Sequence, residues 1–264
     1  MRTVRSVLPL LAILAAAYAN AQERVVESVV PALAFGTHCS SAVTLQNLGD
    51  RTVGVDVEAH RAGGALAPIA GHPEMIMRLA PGERSAYKPQ IEEETEGAWV
   101  KVRERVPAPG LSPVIAIGGA TECVIGDQLR TAVRDVVFPM RNPWFSGDVT
   151  DLSGALVSLI NTSERAATAS VCYSSGSLFS TPESPDLKPV CSAAYEVQVP
   201  PFGARELPVA RAGSSHFSLK TQGAAIVLEM LRPVGTSIKL YTVDSTIRFG
   251  SEVPAPAKGQ PPAR

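Results

Sequence analysis

Four histidines, His38, His60, His72 and His216, are the side chains best suited to bind a metal or carry a proton near neutral pH. The first three are separated by 22 and 12 residues (60 − 38 = 22; 72 − 60 = 12). Neither interval matches a helix or hairpin ligand rule for zinc or copper, so they read as scattered surface histidines. Ser214, Ser215 and His216 stand together in GSSHFS. A serine nucleophile needs a base and an acid brought beside it in space, and the chain has no GxSxG elbow, so this run reads as a turn before a strand. Glu92, Glu93, Glu94 and Glu96 crowd the run IEEETEG. Paired carboxylates do acid/base work in enzymes, but four in one short run read as a solvated loop, or at most a weak cation site. Asn161-Thr162-Ser163 fits a glycosylation acceptor, although turn chemistry accounts for it. These residues point to no enzyme, no metal and no cofactor.

The four cysteines, Cys39, Cys123, Cys172 and Cys191, carry a different chemistry. Their number is even and none falls in a CxxC pair, which favours structural disulfides over zinc or redox sites. Cys39 precedes the second strand of the first half and Cys123 follows its last, so both fall at one pole of a sandwich. Cys172 and Cys191 flank the run YSSGSLFSTPESPDLKPV. Pairings Cys39–Cys123 and Cys172–Cys191 are expected; the other pairings would cross between domains. The flanked loop is rich in Ser, Pro and Gly, and a loop held by a rigid sandwich is a usual place for binding. Ser174, Phe179, Ser184 and Asp186 are its candidate contact residues.

Disulfides require an oxidising compartment, and the N-terminus supplies a route to one. Arg2 and Arg5 precede the apolar run VLPLLAILAAA at 7–17, and Ala19-Asn20-Ala21 forms a small-x-small cleavage site before Gln22. The expected products are a signal peptide at 1–21 and a mature chain with no transmembrane segment. A periplasmic or cell-surface location follows. The net charge of −1 and pI of 6.4 argue against a nucleic-acid partner.

The elements that hold these residues are β-strands. AVTLQN at 42–47, TVGVDVEAH at 52–60 and AWVKVRE at 98–104 are short β-rich runs between Gly, Pro, Asn and Asp. Val53, Val55 and Val57 alternate on one face. The order then repeats. AVTLQNLGDRTVGVDVEA at 42–59 aligns without a gap on LVSLINTSERAATASVCY at 156–173, setting Asn47 on Asn161 and Arg51 on Arg165 (161 − 47 = 114). These four residues mark a strand turn, where Asn is favoured for its local hydrogen bonding. Three looser matches follow the same order: VVP at 29–31 with VFP at 137–139, LAPGER at 79–84 with VPPFGAR at 199–205, and GAWVKV at 97–102 with GAAIVL at 223–228. Trp99 is expected in a core, and Trp144 in an extended loop, exposed or stapling the contact between domains.

The expected fold is all-β: two tandem immunoglobulin-like β-sandwich domains at 22–128 and 129–251, joined by a short linker near 124–131, with a Pro/Ala-rich disordered tail at 252–264. A barrel is the less favoured alternative. The FP, Asn-turn, LAPGE and GAWVKV motifs resemble tandem immunoglobulin-like repeats of secreted bacterial proteins of unknown function. That resemblance implies a periplasmic or surface module with no catalytic residue to carry over. The expected function is a non-enzymatic binding or structural module acting through loops and sheet edges on a protein or glycan partner at the cell envelope. A chaperone with two such domains, lending a strand by β-augmentation, is the alternative; an enzyme with an unrecognised site is the minor one.

Overall fold

The computed structural model describes residues 24–251 apart from 70, 71, 73, 90, 92–94, 108–110, 135, 150, 151, 175–190, 192, 212, 235, 236 and 244–248. The leader at 1–21, the tail at 252–264, Glu92 to Glu94, Phe179, Ser184 and Asp186 therefore lie outside the described residues. Within them the fold is all-β. The first half holds β1 (Arg24–Phe35), β2 (Cys39–Asn47), β3 (Val53–His60), β4 (Leu66–Ala67), β5 (Glu74–Leu79), β6 (Arg84–Tyr87), β7 (Thr95–Val106), β8 (Ile115–Ile125) and β9 (Gln128–Arg134). The second holds β10 (Met140–Arg141), β11 (Pro143–Asp148), β12 (Leu156–Asn161), β13 (Ala167–Ser174), β14 (Ala193–Val199), β15 (Ala204–Pro208), β16 (His216–Gln222), β17 (Ala225–Val234), β18 (Ser237–Val243) and β19 (Gly250–Ser251).

All strand pairs are antiparallel. The sheets of the first half run β1-β7-β3-β5 and β6-β2-β8-β9. Those of the second run β11-β16-β13-β14 and β15-β12-β17-β18. Taken in chain order the pairing pattern is the same, so β2 matches β12, β7 matches β16 and β8 matches β17. Period-2 alternation buries Val43, Leu45, Val53, Val55 and Val57 in one core, and Val157, Leu159, Ala169 and Val171 in the other. The immunoglobulin plan joins strand A to B and strand G to F. Here the first and last strands of that plan have exchanged sheets: β1 pairs with β7, and β8 with β2.

This pairing corrects two landmarks and one boundary. GAWVKV belongs to β7 and GAAIVL leads into β17, which occupy different places in the pattern. Alternation of small and branched residues is common to every core strand, so those runs resemble one another without being equivalent. VVP lies inside β1, whereas Val137 precedes β10 and bridges back to Val29. Residues 124–131 are not a linker. They form the β8–β9 hairpin, with Gly126 in the left-handed region at its turn, and the first half's sheet runs on to Arg134, past the expected boundary at 128.

The Asn landmark holds in atomic detail. Asn47 Nδ2 donates to the carbonyls of Arg51 (2.7 Å) and Leu79 (2.9 Å), and its Oδ1 accepts from Gly49 N (2.9 Å). Asn161 Nδ2 donates to the carbonyls of Arg165 (2.6 Å), Val199 (3.3 Å) and Pro200 (3.0 Å), and its Oδ1 accepts from Ser163 N (3.0 Å). Each side chain thus ties its own strand turn to the end of the neighbouring strand, β5 or β14. Arg51 and Arg165 enter these turns through their backbone carbonyls.

The two halves meet through buried surface. Trp99 is fully buried, in a cluster with Val29, Ile160, Ala204 and Val227 rather than in the core of its own half. Its Nε1 donates to the Phe202 carbonyl (3.2 Å), and Ala204 N donates to the Ala62 carbonyl (2.8 Å). The His60 ring stacks on Trp99 (4.3 Å) and Phe202 (5.3 Å). Gly64 has φ +94°, and a Cβ there would sit 2.3 Å from the Pro201 carbonyl oxygen across the junction. Gly64→Ala is therefore expected to cost about 2–3 kcal/mol, from left-handed strain and a backbone clash together. A urea denaturation midpoint checks it.

Charges are drawn into the same junction. Glu58 bonds Lys101 Nζ (2.6 Å) and Arg103, with His60 Nε2 at 3.3 Å, and Lys101 also lies over the Phe202 ring. Burial alone raises the Glu58 carboxyl, but His60, Lys101 and Arg103 outweigh it and hold it at about 2, below the ordinary 4.5. A depressed folded pKa stabilises the fold above the unfolded value and loses that contribution as pH falls through the folded one. The melting-temperature advantage over Glu58→Gln is accordingly expected to be full above pH 4.5 and to shrink toward nothing near pH 2. On the far side, Arg134 of β9 is buried and donates from Nε to the Ala32 carbonyl (3.1 Å). Burial lowers its guanidinium to about 10, against the pull of Glu229, Glu206 and Tyr241 of the second half.

Candidate functional site

The outward face of the β14-β13-β16-β11 sheet is assembled from alternate residues of four strands. Their partners, Phe145, Val171, Tyr173, Phe217 and Leu219, point inward and fill the core. Strand register sets the outward residues in three rungs. Asp148, His216 and Ser174 form the first; Ser146, Ser218, Cys172 and Ala194 the second; Trp144, Lys220, Ser170 and Glu196 the third. Together the second and third rungs line an open cleft of about 670 Å³. The Cys172–Cys191 bond forms one wall. The Trp144 indole stands at the other side, 43% exposed, over the bare backbone of Gly250 in the adjoining β19. The cleft therefore pairs an aromatic plate and a disulfide with hydroxyl, ammonium and carboxylate groups. Such a mixture of apolar surface and a few directed polar groups is typical of ligand sites.

Ser146 lines the cleft and, on the rung beside it, joins His216 and Asp148 in a chain of three polar side chains. Ser146 Oγ lies 3.0 Å from His216 Nε2, and His216 Nδ1 lies 3.4 Å from Asp148 Oδ1. The imidazole is buried, while Ser146 is exposed and the Asp148 carboxylate is 45% exposed. The run Ser214-Ser215-His216 is the turn before a strand that its sequence suggests, with β16 starting at His216. The Ser214 hydroxyl is engaged in its own turn, donating to the Arg211 carbonyl (2.7 Å) and accepting from Arg211 N (2.9 Å). His216 reaches the opposite strand instead. Sequence reading missed Ser146 and Asp148 because their closeness to His216 depends on a β11–β16 pairing across about 70 residues (216 − 146 = 70). The available signal was the matched alternation of Trp144-x-Ser146-x-Asp148 and His216-x-Ser218-x-Lys220, two polar strand faces of equal length.

The remaining expected residues fall as follows. Cys39 pairs with Cys123 and Cys172 with Cys191. Ser174 is not a loop residue: it is buried at the end of β13, where the strand ladder continues one residue beyond the sequence-based expectation. Trp144 lies on strand β11, not in an extended loop, and faces the cleft rather than the junction between halves. His38 and His72 are exposed and His60 is in the junction. Among the described residues no three His, Cys, Asp or Glu side chains converge as a metal site, and no helix is long and apolar enough to cross a membrane. The chain matches no protein-family model, no curated protein and no solved structure.

Proposed function

We propose that the chain is an exported binding or structural module, built as two tandem sandwich domains of immunoglobulin-like class, that takes a protein or glycan partner at the periplasmic or outer cell surface. The open cleft around Trp144 is the observation that carries this reading. The 43% exposed indole stands in a cleft beside a disulfide, hydroxyls and opposed charges, and offers a rigid aromatic plate against which a partner can pack. The two disulfides support an oxidising compartment. The matching strand order of the halves supports a duplication, with the partner site carried by the second copy alone. The edge strand β9 adds a second exposed apolar strip, Leu129 and Val133 beside Val124, suited to assembly through a sheet edge.

The chaperone alternative is less favoured. A chaperone of that kind works from an open basic cleft between unlike domains. Here the halves share one pattern, and their junction is filled by Trp99, His60 and Phe202, with Lys101 and Arg103 engaged by Glu58.

Fluorescence tests the binding reading, because the chain has two tryptophans and one of them, Trp99, is buried. Titration with envelope polysaccharides and with unfolded peptides is expected to quench or shift Trp144 emission for one class. Trp144→Ala is expected to weaken that binding at least about tenfold, the cost of losing an aromatic anchor of roughly 2 kcal/mol. A ligand that binds the variant as tightly as the parent protein would count against the cleft.

A further inference from the structure

The geometry points to an activity that goes beyond binding: we propose that Ser146 is a reactive nucleophile, with His216 as its base and Asp148 as the group that orients the base, and that the cleft hydrolyses carboxylic esters. The three side chains are connected in the order such chemistry needs. With Nδ1–H donated to Asp148 Oδ1, the His216 Nε2 lone pair faces Ser146 Oγ at 3.0 Å, and Ser146 opens on the cleft. His216 is buried between the two strands, so its ring is held by packing as well as by hydrogen bonds. The backbone N–H groups that point between β11, β16 and β13 are committed to sheet ladders. The oxyanion is met instead by side chains of the same face, the Ser218 hydroxyl directly opposite Ser146 and the Lys220 ammonium one rung on. Such donors suit an ester, whose alkoxide leaves readily, better than an amide. Trp144 and the Cys172–Cys191 bond offer apolar surface for the acyl or alcohol part.

The steps balance without a further cofactor. His216 Nε2 takes the Ser146 proton as Oγ bonds to the carbonyl carbon. The ester C–O bond then breaks, and Nε2 returns the proton to the departing alkoxide. Water, deprotonated by Nε2, attacks the acyl carbon. The acyl–Oγ bond breaks and Ser146 regains its proton, leaving acid and alcohol.

The test is covalent labelling of the purified, disulfide-intact protein with a fluorophosphonate, together with hydrolysis of 4-nitrophenyl acetate. Labelling is expected at Ser146, mapped by peptide mass, with both signals lost in Ser146→Ala. In His216→Gln, which keeps a polar side chain in the buried position, both rates are expected to fall at least about 100-fold. In Asp148→Asn, at an exposed position that leaves the fold intact, the loss is expected to be smaller but measurable, while Ser214→Ala leaves both unchanged. The proposal is overturned if the native protein labels no faster than urea-unfolded protein, if the label lies on another residue, or if Asp148→Asn and His216→Gln both react at the parent rate. The readout is independent of partner binding, so failure here leaves the titration of Trp144 to stand or fall on its own.

Discussion

Replacing Cys39 and Cys123 together by alanine is expected to lower the unfolding free energy by about 4.5 kcal/mol, read as a fall in the urea midpoint with a steeper slope, because the unlinked unfolded chain exposes more surface. The bond closes a loop of sequence separation 84, and the entropy removed from the unfolded chain grows with the logarithm of loop length. The two cysteines are direct partners in the β2–β8 ladder. This is the join that distinguishes the fold from the immunoglobulin plan, because β8 has left its usual neighbour β7. Cys123 also packs beside Ala132 and Leu240, so the bond reaches the surface on which β18 of the second half rests. The bond Cys172–Cys191 spans only 19 residues and is expected to contribute about 3 kcal/mol by the same relation. Equal losses from the two pairs would mean that loop entropy is not what separates them.

A larger loss is expected when Asn47 and Asn161 are both changed to alanine. The substitutions remove three hydrogen bonds at Asn47 and five at Asn161, both fully buried side chains, and leave strand-end carbonyls without a donor. An abandoned buried polar group costs about 1–3 kcal/mol, so each site is expected to lose about 3 kcal/mol. The sites share no partner, so the losses should add to about 6 kcal/mol in the double variant. Thermal and urea unfolding of the four proteins in this cycle measure it. A loss of about 3 kcal/mol at one site and near zero at the other would contradict the equivalence of the two turns.

These residues also show where the sequence was sufficient. Asn47 and Asn161 were legible because an Asx turn is a local event: the residue type, its spacing to Arg51 or Arg165 and the flanking alternation are all within one short window. The valines of β3 were legible for the same reason. Pairing between distant strands was not. GAWVKV and GAAIVL share the alternation that any core strand needs, and that pattern is blind to which strand lies beside it. The exchange of β1 and β8 between sheets, and the extension of the first half through β9, are choices of partner made in three dimensions. The cleft was half legible. The cysteines beside it drew attention to the same part of the chain, but through the loop they enclose rather than the sheet face at its base. Ser146, Asp148 and His216 are ordinary polar residues of strand faces, and only the β11–β16 register makes neighbours of them.

The central claim is that the second half's outward sheet face is the working surface. Retention of the purified protein on isolated cell envelopes of its host tests it most directly, comparing the parent with Trp144→Ala on that face and Ile76→Ala on the outward face of the first half. Both side chains are exposed, at 43% and 68%, so neither change should disturb a core. The account predicts at least about a tenfold loss of retention for Trp144→Ala and parent-like retention for Ile76→Ala. Undiminished retention of Trp144→Ala, or an equal loss in both variants, would contradict it.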